Sequence, residues 1–344
     1  MSERVLTVGG NSATRLLSEV MGPVRPRVCY YVDANNGSDT LDGKGWTRAK
    51  ATIQAAVTLA NSSANATQDV DIYIATGTYE ELVHVSRAGT GLGDAAMLWD
   101  AGGFNIGSIG TIRIIAIGNV FWTNAAVTDT QPTLTIGRPN VDLVNFACIR
   151  SDTTETVTKT NWTSAEGESP MHIGMPAILF DGEYNGSTYM NGAAANCKVI
   201  NCRVNAGGAR GAIVNDGCNW GHVYDSLMEY GAEYNLAIVG SGKGSPAENL
   251  IRNCRFQQGT ATDILHGNNI ITWVQRCDFP SATVTKYLAP ITPGGASQLS
   301  TITDCSINQP DLAELIPNAG WKAAGIMTTG AAGVCMIGDA DLAA

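Results

Sequence analysis

One six-residue template recurs through the chain and restricts its fold more than any other feature. The template reads apolar, any residue, Asn or Asp, Cys, any residue, apolar, as in residues 199–204, 251–256 and 302–307. The fourth positions of seven copies are separated by 26, 56, 24, 28, 23 and 28 residues: Val120, Phe146, Cys202, Ser226, Cys254, Cys277 and Cys305. Apart from the interval of 56, these periods are typical of single solenoid coils.

The third position of the template predicts a column of corners. Asn and Asp enter the left-handed backbone region more easily than other non-glycine residues, and a one-residue bend between two strands requires that conformation. Stacked Asn side chains can also hydrogen-bond from coil to coil. We therefore expect one column that contains Asn119, Asn145, Asn201, Asp225, Asn253 and Asp304.

The fourth position is predicted to point into the core. Cysteine behaves there as a small apolar residue, so this slot indicates packing and not redox chemistry. The chain has nine cysteines, an odd number, without a Cys-x-x-Cys pattern, which indicates neither a zinc site nor a disulfide framework. Buried free thiols are expected, as in proteins that fold in a reducing cytosol, at Cys202, Cys254, Cys277 and Cys305.

A second set of short aliphatic runs, each soon followed by glycine, predicts another strand in every coil. These runs are residues 177–179, 212–214, 237–239, 263–265 and 325–327. With both sets placed, the 56-residue interval contains one coil and two excursions, residues 151–174 and 183–196. Long loops on a rigid scaffold often carry function.

The N-terminal part predicts a helix at about residues 48–61. Ile53, Ala56, Val57 and Ala60 share one face at helical spacing, and Thr47 is the predicted N-cap. Such a helix would cover the exposed strand edge of the first coil, which otherwise invites edge-to-edge association.

The succession of residues 31–43, this helix, residues 71–75 and Gly77-Thr78-Tyr79-Glu80-Glu81 resembles the opening of pectin-lyase-like proteins. Their opening is a short strand, a glycine loop, a capping helix and a first coil that ends in Gly-x-Tyr-x-Glu. The resemblance implies an all-β, right-handed, single-stranded parallel β-helix with an N-terminal capping helix. We expect an extended arm at 1–27, the β-helix at 28–308, and a C-terminal cap or subunit-contact segment at 309–344.

The catalytic motifs of related families have no counterparts here. The Asp-Phe-Ile-Phe-Gly element of pectin methylesterases is only weakly similar to residues 263–267, which read Asp-Ile-Leu-His-Gly. The Asn-Thr-Asp, Asp-Asp and Gly-His-Gly set of polygalacturonases is absent. The best remaining pair is Asp181 and Asp216, which occupy the same slot of neighbouring coils. At the strand spacing of about 4.8 Å, two carboxylates would raise one pKa, as glycoside hydrolysis requires, or share a calcium ion.

Two candidates, Asp263 and His266, would extend this pair by one coil. The structural alternative is that Asp before Gly caps a turn backbone, and that a single histidine at a strand end is an ordinary hydrogen-bonded residue. A sugar-stacking shelf of aromatic residues near loops is the matching prediction for glycan binding, although scattered surface aromatics are also ordinary. Its members would be Trp162, Tyr184, Tyr189, Trp220 and Tyr230.

Charge and hydropathy exclude several classes of partner. The formal net charge is −10 without a Lys/Arg cluster, which argues against nucleic acid and anionic membrane surfaces. No apolar run approaches the roughly 18 to 20 residues that span a bilayer, and the first residues do not form a secretory signal. We expect a chain that is not inserted in a membrane, folds in the cytoplasm and is not exported by a signal peptide.

These features together most resemble a bacteriophage virion protein, such as a tailspike, fibre or capsid decoration. The resemblance implies a structural or receptor-binding role, a homotrimer, location in the virion, and contacts with other capsid or tail proteins and with bacterial surface polysaccharide. The alternative is a polysaccharide depolymerase, a glycoside hydrolase or lyase that acts on bacterial surface glycans. A third hypothesis is a non-viral bacterial β-helix that binds glycans. No cofactor is expected, except calcium at the Asp181 and Asp216 pair.

Overall fold

The computed structural model describes residues 27–62, 65, 68–85, 110–124, 132–151, 176–181, 194–207, 209, 211–218, 220–239, 248–259, 262–266, 271–280, 286–290, 300–308, 321–328, 335–337 and 340–341. Within these residues the chain is almost entirely β, with one α-helix and one short 3-10 turn. The predicted arm at 1–27 lies outside the described residues except for Arg27.

Parallel strands stack in three columns, and successive strands of the chain move from one column to the next. The first column contains β1 Val28–Val32, the first halves of β2 Val70–Glu80 and β4 Ile112–Thr123, β6 Val141–Val144, β9 Lys198–Ile200, β12 His222–Tyr224, β15 Asn249–Arg252, β18 Thr272–Gln275, β21 Ser300–Thr303 and β23 Trp321–Ala324.

The second column contains the second halves of β2 and β4, β7 Cys148–Arg150, β10 Arg203–Asn205, β13 Leu227–Glu229, β16 Arg255–Gln257, β19 Asp278–Phe279, β22 Ser306–Ile307 and β24 Ile326–Thr328. The third column contains β3 Val83–Val85, β5 Leu134–Ile136, β8 Ile178–Asp181, β11 Ile213–Asp216, β14 Tyr234–Val239, β17 Thr262–His266 and β20 Lys286–Pro290. Each coil from β2 to β20 thus adds one strand to each column. The predicted right-handed parallel β-helix is confirmed.

The corner between the first two columns has the backbone conformation that the sequence predicts. Asn145, Asn201, Asp225, Asn253 and Asp304 have φ angles between 50° and 66°. The Asn201 side-chain amide donates to Asn145 Oδ1 at 2.9 Å, and that of Asn253 donates to Asp225 Oδ1 at 2.9 Å. The corner residues therefore form a column, and two pairs of them bond through their side chains along its axis.

The sixth predicted corner residue, Asn119, was assigned wrongly. Gly118 holds the left-handed position, with φ at 88°, and Asn119 lies within β4. The strand register explains the shift, because Ala75 pairs with Ile117 whereas Gly77 pairs with Val120. Two residues of β4 therefore oppose one residue of β2, which is a β-bulge with glycine in its left-handed position.

The residues that follow the corners pack in the core as predicted. The side chains of Cys202, Cys254, Cys277 and Cys305 are buried, and none is in a disulfide. Burial raises the pKa of the Cys202 thiol to about 12. Because the thiolate is the nucleophile and the metal ligand, these cysteines are packing residues.

The 56-residue interval is a single coil. Leu143 of β6 pairs directly with Val199 of β9, so the chain between Asn145 and Asn201 makes one circuit. Most of the two predicted excursions, 151–174 and 183–196, lies outside the described residues. The second set of aliphatic runs lies in the third column as predicted, with two corrections.

The first correction is a slip of two residues in β14. Leu236, and not Ile238, pairs with Ile213 and Ile264. A strand has a side-chain period of two, so this slip leaves Ile238 on the same core-facing side, which is why the pattern alone did not reveal it. The second correction concerns residues 325–327, which belong to the second column and not to the third.

The β-helix also continues beyond the predicted boundary at residue 308. Strands β23 and β24 add another coil, and Gly325 takes its corner position with φ at 64°. A Cβ there would lie 2.5 Å from Asp304 Oδ1, so this corner requires glycine. Two antiparallel strands, β25 Cys335–Ile337 and β26 Ala340–Asp341, then pair with β24 and β23. Part of the segment 309–344 therefore covers this edge of the stack.

The capping helix α1 runs from Ile53 to Ala60 and buries the four apolar residues predicted for its inner face. It begins later than predicted, because its N-cap is Thr52, whose hydroxyl accepts from the Ala55 N–H at 3.2 Å. Thr47 instead lies in the 3-10 turn Trp46–Arg48.

The Gly-x-Tyr-x-Glu motif fixes this helix to the first coil. The two carboxylate oxygens of Glu81 accept from the backbone N–H groups of Ile53 at 2.7 Å and Gln54 at 3.0 Å. The Tyr79 hydroxyl donates to the carbonyl of Ala75 at 3.0 Å. The motif is thus a capping device for the first turn of α1.

We predict that Glu81→Gln lowers the free energy of unfolding by about 1 kcal/mol, because an amide offers one acceptor oxygen to two helix N–H groups. Urea denaturation followed by circular dichroism measures the change. Glu80→Gln is the matched control, since Glu80 is the exposed neighbour of Glu81. Equal stability of the two variants would contradict the capping role.

Candidate functional site

The two carboxylates singled out in the sequence lie on neighbouring strands. Asp181 of β8 and Asp216 of β11 are direct partners in the parallel register of the third column. Asp216 is buried, and the side chain of Asp181 lies outside the description. The backbone therefore places the pair one strand spacing apart, as the slot assignment predicts. The catalytic role of the pair stays a prediction.

The expected extension of this pair by Asp263 and His266 is wrong. Strand β17 lies two strands from β11, with β14 between them. Ile264 is level with Ile213, so Asp263 lies four residues from the level of Asp216, about 13 Å along the strand. His266 is level with Asn215, and its Nε2 lies 3.0 Å from the Thr272 hydroxyl inside the structure. Strand register separates these candidates.

Asp263 instead forms a small buried contact with Asn235. Its Oδ1 accepts from the Asn235 side-chain amide at 2.8 Å, and its Oδ2 has no hydrogen-bond partner among the described residues. The residue is fully buried, and burial raises the pKa of its carboxyl to about 7, against the lowering effect of the Asn235 bond. A buried carboxyl with an unsatisfied oxygen is costly for the fold.

Two members of the predicted aromatic shelf lie in the described part of the chain. Trp220 precedes β12 and donates from its indole to Glu248 Oε2 at 2.8 Å. Tyr230 follows β13 and is exposed. The two residues therefore lie at opposite ends of the segment that contains β12 and β13 of one coil. The other three members lie outside the described residues: Trp162, Tyr184 and Tyr189.

A row of charged side chains crosses the outer face of the first column, and sequence reasoning missed it. We name this set the charged row, and its members are register partners on five successive strands: Asp71, Arg113, Asp142, Lys198 and His222. Arg113 donates to both oxygens of Asp71 at 2.6 and 2.5 Å. Lys198 Nζ lies 3.9 Å from Asp142 Oδ1. Opposite charges thus alternate along the axis.

Burial dominates the electrostatics of the charged row. It raises the pKa of Asp142 to about 6, although Lys198 and Arg113 act in the opposite direction. Burial, followed by the neighbouring Lys198 charge, lowers the pKa of His222 to about 4. His222 Nδ1 accepts the Leu250 N–H at 3.1 Å, which agrees with a neutral imidazole protonated on Nε2. The sequence held a signal, because three members stand three residues before a corner Asn or Asp.

A second polar group missed by sequence reasoning surrounds Glu229 on the second column. The side chain of Glu229 is only 1% exposed. Its carboxylate accepts from Arg203 at 2.6 Å, Asn205 at 2.9 Å and Gln257 at 3.1 Å. The strand stack explains this burial, since Asn205 and Gln257 flank Glu229 in register.

Among the described residues, no group of three or more His, Cys, Asp or Glu side chains could hold a metal ion. The predicted calcium at Asp181 and Asp216 would thus have two carboxylates available from this part of the chain. The described part of the chain also contains no helix with the length and apolar character to cross a bilayer.

Comparison with known proteins adds a fold likeness. No protein-family model matches the chain, and no curated protein matches it. The fold is similar to that of pectate lyase Pel9A, with a TM-score of 0.49 and 12% identity over 89% of this chain and 69% of that one. It is also similar to the pectin methylesterase from Aspergillus niger, with a TM-score of 0.37 and 14% identity over 90% and 87% of the two chains.

The same comparison finds pectin methylesterase PemA from Erwinia chrysanthemi, with a TM-score of 0.34 and 15% identity over 85% and 68% of the two chains. The shared fold is the right-handed parallel β-helix. At such identities the likeness describes architecture and assigns no activity.

We predict that Asp263→Asn stabilises the protein above neutral pH by roughly 1 to 3 kcal/mol. The raised pKa means that the folded state holds its proton more tightly than the unfolded state. The contribution of Asp263 to stability therefore falls as pH rises from 3.8 to about 7, and the amide removes this loss. Urea denaturation at pH 5 and pH 8 measures it.

The matched control for this prediction is Asp304→Asn, at an exposed corner that accepts either residue. A gain for Asp263→Asn that is the same at both pH values, or no gain at all, would contradict a buried carboxyl with an unsatisfied oxygen.

Proposed function

We propose that this chain is a rigid structural element of a bacteriophage particle, such as a tailspike, fibre or capsid decoration, with a structural or receptor-binding role. The observation that carries the proposal is the pairing of polar side chains on the outer faces, which bond to neighbouring coils along the axis. The assignment to a phage comes from the resemblance of the sequence.

The pairing occurs on the outer faces of the first and second columns and at the corner between these columns. It joins Asp71 to Arg113 and Asp142 to Lys198 on the first column. On the second column it joins Glu229 to three partners, and Asp278 accepts from the Ser306 hydroxyl. Charged pairs that are held in register resist sliding and bending between coils, which supports a stiff rod.

The same pairing bears on catalysis. A general acid or nucleophile must reach its substrate, and it acts through an open position near the reacting bond. Asp71 and Glu229 are instead buried and held by cations or amides of the same chain, and Asp142 is buried 3.9 Å from Lys198 Nζ. These carboxylates are better suited to the scaffold than to glycoside cleavage.

The proposal includes a homotrimer, contacts with other capsid or tail proteins, and bacterial surface polysaccharide as the receptor. It also includes folding in the host cytoplasm before assembly into the virion. Eight cysteines of the described residues are free thiols and seven of them are buried, which supports that order of events, because disulfides are rare in a reducing compartment.

A second candidate function is a depolymerase of bacterial surface glycans. The specific observation in its favour is the register of Asp181 and Asp216, which brings two carboxyl-bearing positions onto adjacent strands. Adjacent carboxylates can divide the roles of acid and nucleophile when one pKa is raised.

Immunogold labelling and mass spectrometry of purified particles, from a phage that encodes this chain, test the structural proposal. We expect the protein in intact particles at a stoichiometry of three or a multiple of three per attachment site. Its absence from particles, while it remains in the soluble lysate, would overturn the proposal.

Incubation of the purified protein with capsular polysaccharide and lipopolysaccharide tests the alternative. We expect glycan chains of unchanged length by gel filtration and unchanged reducing-end content. Shortened chains with the natural protein, together with unchanged chains with the Asp216→Asn variant, would replace the structural proposal by the depolymerase.

A further inference from the structure

Three aromatic rings meet on the outer face at the N-terminal end of the first column. Tyr31 of β1 and Tyr73 of β2 are register partners, with ring centroids 5.6 Å apart. Trp46, from the 3-10 turn, stands nearly at right angles to Tyr31, with centroids 4.8 Å apart and an interplanar angle of 66°. The tyrosines form a floor and the tryptophan a wall, a set that we name the aromatic step.

Trp46 is 44% exposed although the loop that carries it is held firmly. The Tyr31 N–H donates to the carbonyl of Gly43 at 2.8 Å, and the Gly43 N–H donates to the carbonyl of Arg48 at 2.9 Å. The Lys50 N–H then returns to the carbonyl of Tyr31 at 2.8 Å. An exposed indole on a loop tied to a strand is preorganised, so binding a ligand costs little ordering entropy.

The polar rim of the aromatic step carries no net charge. Tyr73 donates to Asp71 Oδ2 at 3.2 Å, and Asp71 is the carboxylate that Arg113 holds. Arg27 lies 3.5 Å from Asp69 and 3.3 Å from Asp71. Two cations and two carboxylates cancel, while the whole chain carries a net charge of −10. Both cations of this group are already paired, so an anionic ligand would have to break an ion pair there and would meet long-range repulsion from the chain.

We infer that the aromatic step is a binding site for neutral, hexose-based glycan. The apolar face of a sugar ring packs on an aromatic face, while its hydroxyl groups need donors and acceptors at the edge of that surface. The aromatic step supplies a floor, a wall and a hydroxyl-bearing rim. This site differs from the aromatic shelf predicted in the sequence, since none of its three residues belongs to that set.

The inference deepens the receptor-binding part of the proposed function and rests on it. The paired charges beside the two tyrosines disfavour uronate-rich polymers and favour neutral hexoses as the ligand class. Detection of the protein in particles tests the proposed function, whereas glycan titration tests the binding site. A failure of the proposed function can therefore be distinguished from a failure of the inferred binding site.

Isothermal titration calorimetry of the full chain with cellohexaose, maltohexaose, mannohexaose and hexagalacturonate tests the site. We expect at least one neutral hexasaccharide to bind, and hexagalacturonate to bind more weakly than that one. Trp46→Ala should weaken binding by about tenfold or more, as the loss of a central aromatic contact does in other interfaces. Trp46→Phe should keep affinity within about threefold, because it retains an aromatic wall.

Trp273→Ala is the matched control, because Trp273 lies on the same column six strands away and should leave affinity unchanged. Tyr73→Ala gives a second test of the floor, and circular dichroism establishes that each variant is folded. The inference is overturned if no neutral hexasaccharide binds, if hexagalacturonate binds most tightly, or if the folded Trp46→Ala and Tyr73→Ala variants bind like the natural protein.

Discussion

The structure depends on side chains that bond along the axis from one coil to the next. Left-handed corner residues contribute to this, because each gives a sharp bend, and the side chains of Asn201 and Asn253 donate to the corner residues of the adjacent coils. Parallel strand pairing fixes the register, and the corner column then keeps that register through long excursions. In a solenoid each coil contacts only its neighbours, so its stability depends on every interface between adjacent coils.

This constraint links the fold to the proposed role. The charged row and the Glu229 group extend the axial pairing from the corner to the outer faces, so the polar surface stiffens the rod. Charges that are paired within the chain produce little positive electrostatic potential that could attract anionic partners. The exposed features that remain, above all the aromatic step, are therefore the surfaces through which such a rod would meet a neutral ligand.

The sequence predicts the architecture well because its repeat records backbone geometry. A bend that needs a positive φ admits few residue types, so the corner positions Asn145, Asn201 and Asn253 can be recognised from the sequence. The same repeat predicts that the 56-residue interval is a single coil. Asn119 failed because a bulge, which depends on pairing with β2, moved the corner to Gly118. The extension of the Asp181 and Asp216 pair to Asp263 failed for a different reason, because β14 lies between β11 and β17 and Asp263 lies four residues from the level of Asp216. The charged row escaped notice because its pairing exists only across coils.

A double-mutant cycle between Asn145 and Asn201 tests the axial pairing most directly, because these residues are 56 apart in sequence and bonded in the structure. Substitution by glycine keeps the left-handed backbone and removes only the side-chain bond. Urea denaturation of Asn145→Gly, Asn201→Gly and the double variant should give a coupling energy of about 1 kcal/mol. Asn145→Gly with Asn253→Gly, which are not neighbours in the column, should be additive. No coupling in the first cycle, or equal coupling in both, would contradict the stacked corner.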